Sequence, residues 1–399
     1  MSAHPPSPAC QADDGLYHSP SLPVGHRYQT LALVLQGGGA LGAYQAGVYQ
    51  GLAAADLHPN WVAGISIGAL NAAIIAGNPP EKRVERLREF WQTICRPPLL
   101  PPSPLSHMDF KDWPSPLIGL ANGWEAWRAL TEGQNGFFVP RSPFETLAPG
   151  SPGAASFYDT KPLKATLEAM VDFERLNDSR QMRVSVGAVN VQTGNFVYFD
   201  NTRETLRAEH FMASGALPPG FPAVEIDGDY YWDGGVVSNT PLQKILETVP
   251  RKNSLIFQVD LWSAHGAVPS DLATAAVRLK DIQYSSRTRM ITSYMEEMQK
   301  KRVLLTELMA LVPESARQDN PWYQRAEREA CDRLINVIHL IYADKACEGN
   351  YKDFQFGAPT MRDHWESGLA DIRRSLQHPE WLNMPTADRP FVTHDVHRR

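Results

Sequence analysis

The stretch LQGGGALGAYQAG, residues 35–47, places three glycines directly after the apolar run LALVL (31–35), and a fourth glycine follows three positions later. These glycines leave the backbone without side chains between a predicted buried strand and a predicted helix. Two kinds of ligand suit N–H donors at such a helix N-terminus. The spacing Gly37-x-Gly39-x-x-Gly42 fits a dinucleotide pyrophosphate, and the same turn fits the oxyanion of an acyl transfer. The rest of the chain has to distinguish these two interpretations.

Strand, turn and helix follow one another twice near the N-terminus. Apolar positions after the glycines recur at helical spacing and predict one buried face, made of Leu41, Tyr44, Val48 and Leu52. The second unit begins with the strand-like WVAGI (61–65), and IGALNAAIIAG (67–77) predicts a helix that ends at Gly77. Two such units predict a parallel α/β sheet.

Further apolar and alternating runs predict the remaining elements. They are a helix near 160–171, strands at MRVSVGAVNV and NFVYFD, a hairpin in VEIDGDYYW, strands at NSLIFQVDLW and INVIHLIY, and a long charged helical region at 277–308. Residues 96–153 are rich in proline and glycine and show little regular pattern. Long irregular insertions of this kind often cover active sites.

Composition limits the classes of function. The chain has 399 residues, 43% hydrophobic and 21% charged, with a net charge of −6, which predicts a folded protein without the basic face that nucleic acid requires. Four dispersed cysteines do not have the spacing of a zinc site or of a disulfide framework. The N-terminus lacks an apolar signal segment, and the 17 residues 61–77 are too short and too polar to span a membrane. A cytoplasmic location is therefore expected.

Gly64-Ile65-Ser66-Ile67-Gly68 is a G-x-S-x-G motif. In a nucleophile elbow of this kind, a sharp strand-to-helix turn projects the serine hydroxyl, and small flanking residues avoid a clash. A purely structural tight turn produces the same pattern. The catalytic interpretation therefore needs a base that accepts the hydroxyl proton, because a neutral serine is a weak nucleophile.

A histidine would be one such base, but none of the twelve histidines lies in a recognisable motif. His210 and His265 stand out no more than the others; His339 alternates into an apolar strand, and His394 and His397 lie in a polar tail expected to be solvated.

A carboxylate is the alternative base. Tyr231-Trp232-Asp233-Gly234-Gly235 places one acid at the end of an aromatic strand, with two glycines behind it that permit a tight turn. Aspartate normally titrates near ~3.9 and is then a poor base. Asp233 therefore requires a desolvated site and a direct hydrogen bond to the hydroxyl. The surrounding DGDYYWDGG does not have the ligand spacing of a calcium loop.

In this order, the motifs resemble those of the patatin-like phospholipase family of lipid acyl hydrolases. Gly37–Gly42 is similar to the oxyanion loop of that family, Gly64–Gly68 to its nucleophile elbow, and Asp233–Gly235 to its acid motif. ASGALPP (213–219) is similar to the A-S-x-A-x-P stretch of the family. The resemblance covers residues 31–261.

The resemblance implies a three-layer α/β/α sandwich of patatin type with a mainly parallel central sheet, and a Ser–Asp dyad without histidine. Ser66 would be the nucleophile and Asp233 the proton acceptor. The other implied site residues are Gly37, Gly38 and Gly39 as the oxyanion hole, and the motif glycines Gly42, Gly64, Gly68, Gly234 and Gly235. The expected enzyme is a serine hydrolase of phospholipase A or lysophospholipase type that acts on a lipid or acyl ester and uses no metal and no organic cofactor.

The dinucleotide interpretation loses support, because about 20 residues further on the chain enters the serine elbow instead of presenting an acidic residue. Leu41 stands where the family commonly has Lys or Arg, so a positive charge is not expected beside the oxyanion loop. Two other functions stay open: an acyltransferase that uses the same dyad, and a non-catalytic lipid-binding or scaffold protein on the same fold.

The expected organisation is a flexible leader at 1–28, the acyl hydrolase core at 29–265 and a mainly helical C-terminal extension at 266–399. Whether this extension forms a separate lobe or completes the sheet is left open, as are the head group, the acyl-chain preference and the oligomeric state. Basic residues accompany the apolar stripe of the long helix and predict either a solvated face or peripheral contact with an anionic membrane: Arg287, Arg289, Lys300, Lys301 and Arg302.

Overall fold

A central sheet of nine strands organises the part of the chain that the computed structural model describes, namely residues 15–95, 115–142, 150, 155–343 and 351–397. The strands are β1 (Thr30–Leu35), β2 (Trp61–Gly64), β3 (Val139–Pro140), β4 (Tyr158–Asp159), β5 (Arg183–Asn190), β6 (Phe196–Asp200), β7 (Val224–Ile226), β8 (Asp229–Asp233), β9 (Ser254–Asp260), β10 (Ile335–Ile341) and β11 (Phe391–Asp395). Strands β3 and β4 form a separate two-stranded sheet.

The helices are α1 (Ala43–Ala54), α2 (Ile67–Ala76), α3 (Arg83–Ile94), α4 (Ser115–Glu132), α5 (Lys161–Met170), α6 (Phe173–Asn177), α7 (Ala208–Ser214), α8 (Leu242–Glu247), α9 (Leu272–Ala310), α10 (Pro321–Glu329) and α11 (Ala358–Leu376). Short 3₁₀ turns include Gly39–Gly42, Gly234–Val236 and Lys352–Phe354. Within the described residues, no helix combines the length and the apolar character that crossing a bilayer requires.

The strand order is β11-β10-β9-β1-β2-β5-β8-β7, and β6 pairs with β5 outside this path. Pairs from β11 to β5 are parallel, whereas β6, β8 and β7 join antiparallel. Leu35 at the end of β1 lies opposite Gly64 and Val259, so three strands end at the same edge. The strand β2, next along the chain, lies on one side of β1, and the later strand β9 lies on the other side. In open α/β sheets, ligands bind at the carboxyl ends of the strands at such a switch point.

Helices cover both faces of the sheet. Alternation along β1 sends Leu31, Leu33 and Leu35 into the larger apolar core, whereas Ala32 and Val34 join the smaller core on the other face. The larger core includes side chains of α1, α2, α3 and α11, and the smaller one includes side chains of α8 and α9. The fold is therefore the three-layer α/β/α sandwich with a mainly parallel sheet that the sequence predicted.

Most predicted elements are confirmed: the buried helical face after the glycines, the helix near 160–171, the core strands, the hairpin at Asp227–Gly228 and the long helical region. Both hairpin residues have positive φ, as the two-residue turn requires. The expected irregularity of residues 96–153 is wrong for α4, which has its proline in the first turn, where a helix tolerates it. Residues 96–114 lie outside the described part.

The C-terminal region completes the main sheet. The predicted last strand is β10, which pairs with β9, and β11 adds a further parallel strand at the edge. The expectation of a solvated tail is wrong for His394, which lies half-buried in β11 and stacks on Trp381; His397 is exposed, and its Nε2 lies 3.1 Å from the Asp371 carboxylate. The boundary at 265 stays a prediction.

Part of the predicted flexible leader, residues 1–14, lies outside the described part of the chain. Within the remainder, Tyr28 is fully buried and its hydroxyl donates a hydrogen bond to the carbonyl of Asn383 (2.9 Å). The Tyr17 hydroxyl donates to the carbonyl of His58 (2.7 Å). These contacts attach residues 15–28 to the body of the protein.

Candidate active site

Ser66 occupies a strained turn between β2 and α2. Its φ of 55° and ψ of −125° lie outside the regions that non-glycine residues favour. The flanking glycines make the turn possible: a Cβ at Gly64 would collide with the backbone of Gly68, and one at Gly68 would collide with the carbonyl of Leu35. The structure thus has the geometry that a nucleophile elbow requires.

Ser214 supports this elbow from the end of α7. The backbone N–H of Ser66 donates a hydrogen bond to the Ser214 hydroxyl (3.0 Å), which in turn donates to the carbonyl of Gly187 (2.6 Å). The Ser66 hydroxyl does not accept a capping hydrogen bond from α2, and its own proton needs a separate acceptor.

Asp233 supplies that acceptor. Its carboxylate accepts a hydrogen bond from the backbone N–H of Gly235 (2.7 Å), and the Ser66 hydroxyl lies close enough to it to lower the pKa of the carboxyl. Asp233 is only 2% exposed, and burial raises the pKa of its carboxyl to about 7, a rise that the Ser66 hydroxyl and the Gly235 N–H oppose. The structure therefore contains the desolvation that the carboxylate interpretation required, with Ser66 and Asp233 at the wall of the same cavity.

The first glycine turn lies directly against the serine. A Cβ on Gly37 would come within 3.0 Å of the Ser66 Cβ, so only glycine permits this approach. The Gly37 carbonyl accepts hydrogen bonds from Asn239 Nδ2 (2.9 Å) and Trp262 Nε1 (2.8 Å). These two side chains hold the turn from segments that follow β8 and β9.

One predicted oxyanion donor is already engaged. The backbone N–H of Gly37 donates to the carbonyl of Asn239 (3.3 Å), and its role in the oxyanion hole stays a prediction. Among the described residues, no hydrogen bond occupies the N–H groups of Gly38 and Gly39. Gly39 has a φ of 56°, which glycine adopts without strain.

A cavity of about 70 Å³ contains Ser66 and Asp233 at its wall. Apolar side chains make up much of the remaining lining: Leu70, Phe137, Phe138, Leu217, Phe221, Trp262, Phe354 and Phe356. A far larger open groove, of about 1080 Å³, lies along α5 and α6 and is lined mainly by charged residues. That groove includes neither Ser66 nor Asp233, so chemistry and not size identifies the candidate site.

Two other predicted features receive a structural explanation. Leu41 is fully buried in the larger core, where an unpaired charge would be costly, so it packs apolar groups and offers nothing to a substrate. The basic residues of α9 do not form one surface: Arg302 is buried, and Lys300 pairs with Glu296 and Glu297. The side chain of Arg287 lies outside the described part.

Asn239, Trp262 and Ser214 were not identified from sequence. Asn239 and Trp262 reach the turn from more than 200 positions along the chain and belong to no motif. Ser214 does lie in the family-like stretch ASGALPP, which was a signal for it.

A serine at a strand-to-helix elbow, on a mainly parallel sheet with a buried acid beside it, is typical of serine hydrolases. The sequence model of the patatin-like phospholipase family matches residues 33–246, more than half of the chain, so the chain belongs to that family. A second family model, described as patatin phospholipase, matches residues 282–388. No curated protein matches the chain in sequence.

Solved structures give distant likenesses. VipD from Legionella pneumophila is 13% identical, with 88% of this chain and 67% of that chain covered and a TM-score of 0.38. Human GIVD cytosolic phospholipase A2 is 12% identical, with 94% of this chain and 62% of that chain covered and a TM-score of 0.40. The chain thus spans less than two thirds of the length of the human protein.

Proposed function

We propose that the protein is a serine esterase that releases fatty acid from lipid esters through an acyl-enzyme at Ser66, with Asp233 as the proton acceptor. Membership of the patatin-like phospholipase family supports lipid hydrolysis. The observation that supports the dyad is the position of Ser66, at a strained elbow, beside an almost entirely buried carboxylate in the wall of the same cavity.

Acylation begins when Ser66 Oγ attacks the ester carbonyl carbon and its proton passes to the Asp233 carboxylate. The carbonyl oxygen becomes an oxyanion, which the N–H groups of Gly38 and Gly39 stabilise; one such donor is worth about 2.7–4 kcal/mol in barrier. The tetrahedral intermediate collapses as the C–O bond to the alcohol breaks, and Asp233 returns the proton to that alcohol. Water then attacks the acyl-enzyme in the same way and releases the fatty acid.

The raised pKa of Asp233 suits this exchange. A base works best when its pKa lies near the working pH, since it must be ionised before attack and must still hold the proton afterwards. An ordinary aspartate, near ~3.9, would take the proton too weakly. Burial raises the pKa of Asp233 to about 7, and this brings the carboxylate into the useful range.

The substrate class follows from the apolar lining. Phe137, Phe221 and Phe356 lie together in the cavity wall, with ring centroids 5.8 Å and 5.9 Å from that of Phe137. An acyl chain beside Ser66 would bury its apolar surface on these rings. We therefore favour a phospholipase A or lysophospholipase activity, carried out in the cytoplasm at the surface of a membrane.

Labelling by a fluorophosphonate, which reacts with an activated serine, tests this proposal. The folded protein should be labelled at Ser66 and should hydrolyse a chromogenic fatty-acyl ester, whereas Ser66→Ala and Asp233→Asn should do neither. Asp229→Asn, an exposed acid on the same strand, is the matched control and should keep both activities. Unlabelled protein that still binds lipid would favour a scaffold. Transfer of the acyl group to an added alcohol in preference to water would favour an acyltransferase.

A further inference from the structure

Residues 351–357 form one wall of the cavity at Ser66, although they lie far outside the stretch 33–246. Asp353, Phe354 and Phe356 all line it. The segment also touches the first glycine turn, because a Cβ on Gly39 would collide with the backbone carbonyl of Asp353. The position of residues 351–357 therefore limits the position of a proposed oxyanion donor.

Two ion pairs hold this segment against the start of α9. Lys280 Nζ lies 2.6 Å from Asp353 Oδ1, and Lys352 Nζ lies 2.7 Å from Asp281 Oδ1. The adjacent residues Lys280 and Asp281 of α9 thus pair with the adjacent residues Lys352 and Asp353 of the segment, each lysine with the aspartate of the other element. We call these four residues the clamp.

The clamp is buried to an extent that demands pairing. Lys352 and Asp281 are 1% and 3% exposed, and Asp353 is 9% exposed. Removing such charges from water is costly, and breaking a pair leaves the remaining charge uncompensated. Buried ion pairs add little net stability compared with apolar packing, but they specify one geometry. A positioning role accounts for three buried charges and one half-buried charge at this place.

Trp262 connects the clamp to the glycine turn. The ammonium groups of Lys352 and Lys280 lie 5.1 Å and 5.6 Å from the centroid of its ring. The indole Nε1 of Trp262 donates a hydrogen bond to the Gly37 carbonyl (2.8 Å). Tyr284, one turn along α9 from the clamp, stacks on the same ring at 5.0 Å. Movement of the clamp would therefore displace the group that holds Gly37.

We propose that the clamp positions the glycine turn and the cavity wall for acyl transfer at Ser66, so that the C-terminal region is part of the catalytic apparatus. This inference rests on the proposed function. The four residues do not touch the reacting atoms; they act through Trp262 and through the backbone of Asp353. A displacement of about 1 Å in such supporting groups can reduce a rate about a hundredfold.

Charge reversal of the more exposed pair tests the clamp. Lys280→Asp or Asp353→Lys alone places like charges together, and the combination of both changes restores an attractive pair. We expect each single variant to lower kcat for a soluble chromogenic ester by about tenfold to a hundredfold, with KM changed less than about threefold. The fluorophosphonate should label Ser66 more slowly by the same factor. The combined variant should recover most of both rates.

Stability needs its own control. Arg183→Met breaks another ion pair, the one between the half-buried Arg183 and the buried Asp200 (2.7 Å), at the start of β5, whereas Ser66 follows the far end of the neighbouring parallel strand β2. It should lower the melting temperature to a similar extent while labelling of Ser66 keeps its rate. Lys280→Gln, at a side chain that is 22% exposed, is the milder variant if the reversals do not fold. It should lower kcat in the same direction.

Three results would overturn the clamp. The first is ester turnover at the wild-type rate by the folded single variants, or by Lys280→Gln where the reversals do not fold. The second is labelling slowed by Arg183→Met as much as by the clamp variants, which would assign the effect to general stability. An unreactive wild-type protein would instead refute the proposed function and this inference with it, a result that is visible before any variant is made.

Discussion

Two buried aspartates end two strands of the same sheet, and burial raises the pKa of each to about 7. Asp233 ends β8, and the Ser66 hydroxyl lies close enough to its carboxylate to lower the pKa of that carboxyl. Asp260 ends β9 and lies 2.8 Å from Gln258 Nε2 and 3.5 Å from the Thr240 hydroxyl. A raised pKa alone therefore does not identify a catalytic base, because only one of these acids contacts a group whose deprotonation would start a reaction.

The sheet explains why the two acids differ. Strand β8 pairs with β5, which pairs with β2, and the antiparallel direction of β8 brings its last residue to the serine elbow after β2. Strand β9 lies on the other side of β1, and its last residue stays inside the polar contacts of Gln258 and Thr240. Asp233 faces the cavity; Asp260 is not among its lining residues.

The largest expected effect comes from removing each acid in turn. Asp233→Asn should lower ester turnover by about ten-thousandfold, as should Ser66→Ala, because the loss of either residue disables the whole proposed dyad. Asp260→Asn should change turnover by less than about threefold. Hydrolysis of a soluble fatty-acyl ester, with circular dichroism as the check on folding, measures both. Equal losses in the two Asn variants would remove the distinction between the acids.

Local motifs made Ser66 and Asp233 predictable. The elbow is determined by neighbouring residues, since Gly64 and Gly68 collide with backbone if either gains a side chain. The acid motif likewise lies at one strand end. The raised pKa of Asp233 was not predictable, because it depends on burial by segments distant in sequence. The engagement of the Gly37 amide was missed for the same reason, since its acceptor belongs to Asn239.

For the fold as well, local patterns were predictable from the sequence, and features that depend on distant segments were not. Continuous apolar runs such as β1 and β9 identified the central strands, because both faces of a parallel sheet are buried. The strand β11 was missed because FVTHD is short, follows two apolar residues with three polar ones and is mostly half-buried at the sheet edge. Lys352 belongs to no sequence motif, yet it is 1% exposed, and Asp281 compensates its charge.

Two adjacent residues, Asn239 and Thr240, contact the surroundings of the two acids differently. Asn239 serves the catalytic side by donating to the Gly37 carbonyl, while Thr240 contacts Asp260. Both are buried, so Asn239→Ala and Thr240→Val should each cost about 1 kcal/mol of stability. Only Asn239→Ala should slow turnover markedly, by about tenfold to a hundredfold, because the glycine turn then loses one of its two side-chain donors. Steady-state kinetics and urea unfolding separate the two effects.

A smaller effect is expected at the elbow itself. Ser214→Ala removes the acceptor of the Ser66 amide and should slow turnover about fivefold, the equivalent of one hydrogen bond of about 1 kcal/mol. Ser185→Ala is the matched control: this buried serine donates to Asp200 Oδ2 (2.8 Å), away from the cavity. If both variants slowed the enzyme equally, the hydrogen bond to the elbow would have no particular role.

The smallest effect on turnover, and the sharpest contrast between the acids, is expected in the dependence on pH. Below the unfolded pKa near ~3.9, both acids are protonated in the folded and the unfolded chain. Between that value and a folded pKa of about 7, the unfolded chain releases protons that the folded chain keeps, so stability falls as pH rises. Above about pH 7 the folded acids ionise as well, and these two groups cause no further loss.

Asp260→Asn should therefore flatten the decline in stability between pH 5 and pH 8, while ester turnover still rises through about pH 7 as Asp233 ionises. Urea unfolding at the two pH values and a pH–rate profile of the same variant test the two halves of this expectation. The two measurements are independent, since both carboxyl groups contribute to the pH dependence of stability, whereas the proposed reaction uses only that of Asp233. A rate profile that loses its rise in Asp260→Asn would show that Asp260 controls the proton transfer, and the two acids would then have to be treated as one coupled unit.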